Sequence, residues 1–196
     1  MLSPITPSKS ETTLLEPFVT LTLNAISVPV TAEEFVAASA AIKAAKAVGF
    51  DTESKPTFAK GETSTGPHIV QLATPRHAYI FQVHNVVGRA CLLDLLRSKD
   101  VLKIGFGLES DRVQIQNKLD VEMAGVLDLN TVFRKLGYRN TAGVRAAVAI
   151  VLNQKFHKSK RVTTSNWGVP VLESRQLLYA ANDAYAALKV WEKLPR

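Results

Sequence analysis

Short apolar runs alternate along this chain with longer stretches that mix small, charged and apolar residues. Runs of about four to eight apolar residues bounded by turn formers predict buried strands, and longer mixed periods predict helices. On that basis Ile26 to Val30 forms a short strand and residues 47–51 form the first core strand. Between them Thr31, with Glu34 three residues on, makes a capping box that opens an Ala-rich helix running to Lys46. Residues 54–66 hold Ser, Lys, Pro, Thr and Gly and predict a loop. His68 to Ala73 and Ala78 to Val83 are apolar runs joined through Thr74-Pro75-Arg76, a hairpin pattern. A helix over 88–98, a strand from Val101 to Gly105, a helix over 109–118 and a strand from Gly125 to Leu129 follow. From about 130 the pattern is mostly helical, interrupted by a basic loop at 153–169, and a last helix covers about 173–194. Strands mixed with helices and followed by a helical tail define an α/β class with a mixed sheet.

Length adds that this is one domain: 196 residues, 46% of them hydrophobic, bury a core of ordinary size. Residues 1–25 show little periodicity and are expected to be a partly ordered arm before a domain at 26–196. The single cysteine, Cys91, excludes an internal disulfide and reads as a buried helix thiol in Ala-Cys-Leu-Leu-Asp-Leu-Leu. A net charge of +7 suits a polyanionic partner. No apolar run reaches the roughly 18–20 residues of a membrane span, and no membrane association is expected. The opening Met-Leu-Ser-Pro-Ile-Thr-Pro lacks a signal-peptide pattern, so the expected location is cytoplasmic by default, with a nuclear or organellar address left open.

The chemistry begins at residues 48–53, Val-Gly-Phe-Asp-Thr-Glu. Side chains at i and i+2 of a strand share one face, so Asp51 and Glu53 stand side by side at its end. Adjacent carboxylates repel unless a cation or a shared proton offsets them, and a hard divalent ion is the natural partner for oxygen ligands. Asp111 follows the next strand and Gly105-Phe-Gly107, in the first turn of a helix. Ser110 stands where a dinucleotide fingerprint needs its third glycine, which sets that reading aside. Tyr179 and Asp183 are spaced i, i+4 on one face of an otherwise apolar last helix, where a lone buried carboxylate is costly. Each signal has a bland reading: a helix-dipole Asp at 111, a salt-bridged Asp at 183, a core Tyr at 179.

Together these motifs resemble the DEDD-type 3′-to-5′ exonucleases of the tyrosine subgroup, the group of ribonuclease D and the Werner-syndrome exonuclease domain. The resemblance rests on Phe-Asp-Thr-Glu at 50–53, Gly-Phe-Gly-Leu-Glu-Ser-Asp at 105–111 and Tyr-Ala-Ala-Asn-Asp-Ala-Tyr at 179–185. Ile-Val-Gln-Leu-Ala at 69–73, Leu-Asp-Leu at 127–129 and Ser-Asn-Trp at 165–167 extend it over about residues 26 to 194. Ser-Asn-Trp and the third motif are nearer the Werner-like branch. The resemblance implies a ribonuclease H-like fold with a mixed five-stranded sheet flanked by helices. It also implies hydrolysis by two Mg²⁺ or Mn²⁺ ions roughly 3.5–4 Å apart. Asp51 would bridge both ions, Glu53 and Asp183 would hold the one that activates water, Asp111 would hold the one at the leaving group, and Tyr179 would orient the water. Zinc is disfavoured, because no His or Cys cluster accompanies the carboxylates.

The expected partner is a nucleic acid with a free 3′ end, DNA slightly ahead of RNA. Lys158 and Arg161, in the densest basic segment, are candidate phosphate contacts. Thr52 is expected to turn its side chain away from the two carboxylates and offer its backbone to the terminal nucleotide. Arg112 either reaches a phosphate or pairs with Glu109. Trp167 reads as a packing residue. The competing classes are a catalytically silent nucleic-acid-binding or scaffold module on the same fold, an RNA-trimming exonuclease and a nuclease of this fold that cuts internally.

Overall fold

A computed structural model of the chain describes residues 7–57, 61–138 and 143–194. Residues 1–6 of the predicted arm and 58–60 of the predicted loop lie outside the described residues. The chain opens with α1 (Lys9–Thr13), β1 (Glu16–Pro17), a 3-10 turn at Leu23–Ala25 and β2 (Ile26–Ser27). Then come α2 (Ala32–Ala45), β3 (Ala47–Glu53), β4 (Ile69–Ala73), β5 (Ala78–Gln82) and α3 (Arg89–Arg97). The second half contains β6 (Leu102–Gly105), α4 (Glu109–Leu119), β7 (Val126–Asp128), α5 (Leu129–Lys135) and α6 (Val144–Leu152). It closes with β8 (Gln154–Lys155), α7 (Lys160–Thr163) and α8 (Ser174–Lys193).

The main sheet has the order β2-β5-β4-β3-β6-β7. β3, β4 and β5 pair antiparallel, while β6 runs parallel to β3 and β7 parallel to β6. The sheet is therefore mixed, as expected, but it has six strands where five were expected. The sixth is the two-residue edge strand β2, which pairs parallel with β5 through Ile26 and Ser27. It lies inside the run from Ile26 to Val30 read as a strand, and it is too short to announce whether it joins the sheet. The basic segment at 153–169 also differs from a plain loop: β8 pairs with β1, and α7 adds one helical turn. The stretch read as an arm packs against the domain over its described part. Phe18 and Leu21 are buried, and the Leu21 amide donates to Asn182 Oδ1 at 2.7 Å.

Local signals account for most of these elements. Thr31 accepts from the Glu34 amide and Glu34 reaches back to Thr31, the capping box at the start of α2. Such a cap stabilises a helix by about 1 kcal/mol. Strand alternation then sorts side chains to two faces. Val48, Phe50, Val70 and Leu72 pack with Phe35 and Ile42 of α2, Leu95 of α3 and Ile115 of α4. On the other face Ile69, Ala73 and Ile80 pack against Ala180, Ala181 and Ala184 of α8. Lys103 is the exception in the core. It is fully buried, and its Nζ donates to the carbonyls of Leu95, Ser98 and Val101 at 2.8–3.0 Å, closing the C-terminal end of α3.

The approach of α8 to the sheet is set at one residue. A Cβ at Gly49 would collide with the backbone carbonyl of Ala184, so only glycine lets the helix lie this close to β3. Gly49→Ala is expected to lower stability by about 1–3 kcal/mol, because the overlap is with backbone and cannot be relieved by a rotamer change. Urea denaturation of the variant checks this.

Candidate metal centre and active site

The candidate carboxylates follow from the alternation of β3. Val48 and Phe50 face α2–α4, so Gly49, Asp51 and Glu53 face α8. Helix α8 lies against Gly49 and brings Asp183, one residue before the Ala184 contact, over the end of the strand. The ligand atoms of Asp51, Glu53 and Asp183 all lie within 4.8 Å of one another. The expected i, i+2 pair and the last-helix aspartate thus form one site.

Asp111 reaches the same strand end from the other side of the sheet. Thr52 points to that side, and its Oγ1 donates a short hydrogen bond to Asp111 Oδ1. Its side chain turns away from Asp51 and Glu53, as expected, but it does so to hold the fourth carboxylate. Asp111 therefore borders the group of three and does not belong to its tightest part. The turn before Asp111 is fixed by Asp128, which accepts from the amides of Gly107, Leu108 and Asn130 at 2.9–3.0 Å. Gly107 takes φ +68°, which a glycine adopts without strain. Ser54, just beyond β3, adds a 2.9 Å bond to Gln114 of α4.

Tyr179 lies one helical turn before Asp183 and is 9% exposed. Its hydroxyl and Thr163 Oγ1 are 2.7 Å apart, and its ring packs against Trp167 with centroids 5.9 Å apart. Trp167 is a packing residue, as read, and its indole donates to the Thr163 carbonyl at 3.2 Å. Burial raises the Tyr179 pKa, with the nearby Asp183 charge adding to the effect. The phenol is therefore protonated at neutral pH and is available as a hydrogen-bond donor.

Electrostatics decide what the three carboxylates need. Two charges less than 5 Å apart repel by about 3 kcal/mol at an effective dielectric near 20, so three full pairs would cost about 10 kcal/mol. That is comparable with the whole stability of a domain. Burial, reinforced by the neighbouring carboxylates, holds Asp51 and Glu53 well above the usual carboxylate range. Asp183, 4% exposed, is raised by burial and opposed by Lys158. The Lys158 Nζ is 2.6 Å from Asp183 Oδ2, a close ion pair. Hydrogen bonding from Lys158 and Tyr179 also opposes the rise at Asp183. Closely spaced, all-oxygen ligands of this kind fit a hard divalent cation.

The substrate candidates separate. Lys158, expected on a phosphate, instead lies inside the carboxylate site, because the 153–169 segment folds back over α8. Arg161 lines a cavity of ≈ 480 Å³ with His157, Arg175, Tyr179 and Asp183. Arg112 lines a different groove with Glu109, Gln116 and Glu122, not either cavity at Asp183. Two residues escaped notice as individuals. Gln71, opposite Asp51 in the β3–β4 register, is fully buried, and neither amide atom has a hydrogen-bond partner among the described residues. Thr163 anchors Tyr179. Gln71 stood inside a quoted motif, but only the pairing register sets it beside Asp51.

The fold is ribonuclease H-like, with the acidic cluster at the end of its central strand. A 3′-5′ exonuclease family model matches residues 26–196, and the chain belongs to that family. It is 33% identical over 149 residues to the mouse bifunctional 3′-5′ exonuclease/ATP-dependent helicase WRN. That match covers 75% of this chain and only 11% of the mouse protein. Among solved structures, the EXO domain of Aedes aegypti Nibbler superposes with TM-score 0.74 at 24% identity, covering 89% of this chain and 88% of that one. The RNase D of Trypanosoma brucei in complex with RNA U12 gives 0.75 at 21% identity, covering 86% and 62%. Both support the same fold. No helix among the described residues is long and apolar enough to cross a membrane.

The raised carboxylates predict a pH dependence. In the folded, metal-free protein Asp51 and Glu53 keep protons that the unfolded chain releases from the ordinary carboxylate range upward. The folded state binds more protons in that window, so stability falls as pH rises through it. Thermal unfolding in chelator is expected to show a lower Tm at about pH 8 than at about pH 5, with added Mg²⁺ or Mn²⁺ removing most of the difference.

Proposed function

We infer that this protein is a divalent-metal-dependent 3′-to-5′ exonuclease. It hydrolyses phosphodiester bonds from the free 3′ end of a nucleic acid and releases nucleoside monophosphates. The observation that supports this reading is the meeting of Asp51, Glu53 and Asp183 beside Tyr179 and Asp111, in a member of an exonuclease family. All four carboxylates and the tyrosine are present, which disfavours a silent binding module. Residues 26–196 are assigned as the exonuclease unit.

Asp51, Glu53 and Asp183 would hold one ion, and Asp51 with Asp111 a second. When bound, such ions supply Lewis-acid stabilisation of the phosphoryl oxygens and a water of lowered pKa. Tyr179, fixed by Thr163 and kept protonated by burial, orients the attacking water. Arg161 and Arg175 line the ≈ 480 Å³ cavity that also reaches Tyr179 and Asp183, and their charge would hold the phosphates of the 3′ strand. DNA is the proposed polymer, on the strength of the Werner-like Ser-Asn-Trp and third motif and the 33% identity to the mouse WRN protein.

Matched end-labelled single-stranded, duplex and recessed-end DNA and RNA, with Mg²⁺, Mn²⁺ or chelator, test this reading. A ladder shortening from the 3′ end is expected with metal and none with chelator. Internal fragments would indicate an endonuclease, binding without cleavage a silent module, and faster loss of RNA an RNA-trimming enzyme. Asp183→Asn is expected to abolish release, and Tyr179→Phe to slow it by about a hundredfold while metal binding persists. Arg161→Glu is expected to weaken nucleic-acid binding and to reduce the log–log salt slope by about one.

A further inference from the structure

Lys158 occupies an unusual place for a residue of an exposed basic segment. Its ammonium lies 2.6 Å from Asp183 Oδ2, and that aspartate side chain is almost wholly buried. It also lies 5.2 Å from the centroid of the Tyr179 ring, over its face. With Asp51, Phe106, Asn130 and Asp183 it lines a cavity of ≈ 240 Å³. Its neighbours His157 and Ser159 line the ≈ 480 Å³ cavity, and Asp183 borders both. Lys158 therefore stands where the two cavities meet, at the carboxylate a metal needs.

The geometry points to Lys158 as the resident counter-cation of the centre, a lysine that offsets the carboxylates in the metal-free protein and is displaced from Asp183 when a divalent ion binds. This rests on the metal-centre reading above and extends it. Three carboxylates within 4.8 Å are held together by protons or by cations, and Lys158 is the cation paired with one of them among the described residues. An ammonium beside Asp183 and a divalent ion on the same group repel at short range, and the strongly hydrated ammonium on a flexible four-carbon stem is the one that can leave. Lys158 thus sets the affinity of the site. Each metal-binding event also frees an ammonium at the mouth of the substrate cavity, where a phosphate can take it up.

Two measurements without nucleic acid test this. Calorimetric titration with Mn²⁺ is expected to show about tenfold tighter binding for Lys158→Gln and Lys158→Met than for the unaltered protein. Equal or weaker binding by folded variants overturns the inference while leaving the metal centre intact. An unaltered protein that binds no Mn²⁺ overturns the metal-centre reading and this inference with it. The second measurement uses only the unaltered chain, so it stands if the variants fail to fold. Amine-reactive labelling of Lys158, read by mass spectrometry, is expected to be slow in chelator and several-fold faster with Ca²⁺ or Mg²⁺. A labelling rate that does not respond to the metal overturns the displacement.

Discussion

Helix α8 rests on β3 with its backbone against Gly49, and the arrangement of the active site follows from that contact. The helix lies across the sheet with Ala180, Ala181 and Ala184 packed on Ile69, Ala73 and Ile80. Small side chains on the helix and the missing Cβ on the strand bring two backbones together. Asp183 precedes Ala184, and Asp51 follows Gly49 by two residues on the same strand face. The geometry of the acidic site is thus a by-product of packing in which neither carboxylate takes part. A larger residue at 49 would shift both carriers of the chemistry, Tyr179 and Asp183, together.

The sheet also explains why four carboxylates do not form a symmetrical group. Strand alternation divides the end of β3 between two faces. Asp51 and Glu53 meet α8, whereas Thr52 meets α4 and binds Asp111. The centre straddles a strand end, three acids on one side and one on the other. Asp128 stabilises the far side by tying the Gly107 turn to the end of β7. Charge then dominates the near side. Buried carboxylates at this spacing cannot all ionise unaided, so protons, Lys158 and metal ions act as alternative ways of holding them together.

Where the chemistry is written as local spacing, it was legible. The i, i+2 pair at Asp51 and Glu53, the i, i+4 pair at Tyr179 and Asp183, and the Thr31–Glu34 cap need only one element each. So do the hairpin of β4 and β5 and the boundaries of α8. What escaped depends on contacts between distant segments. The sequence shows Lys158 as one charge in a basic run, because its meeting with Asp183 requires the 153–169 segment to fold over α8. Gln71 looks like an ordinary strand residue until the register sets it opposite Asp51. The two-residue strands β1, β2 and β8 carry no periodicity of their own. Arg112 shows the converse: adjacency to Asp111 in sequence does not carry it to the pocket, since neighbours on a helix point about 100° apart.

Asn182 sits between the catalytic helix and the segment that precedes the family's matched region. Its amide is buried, accepts from the Leu21 backbone and donates to the Leu21 and Leu178 carbonyls. A chain begun at residue 26 would strip that amide of both Leu21 bonds and leave the Leu178 bond, next to Asp183 in sequence. The cost of the lost bonds, about 1–3 kcal/mol, would fall on the helix that carries Asp183. The family match begins at Ile26, but hydrogen bonds from α8 reach back to Leu21, and trimming to the matched boundary would cut into the support of that helix.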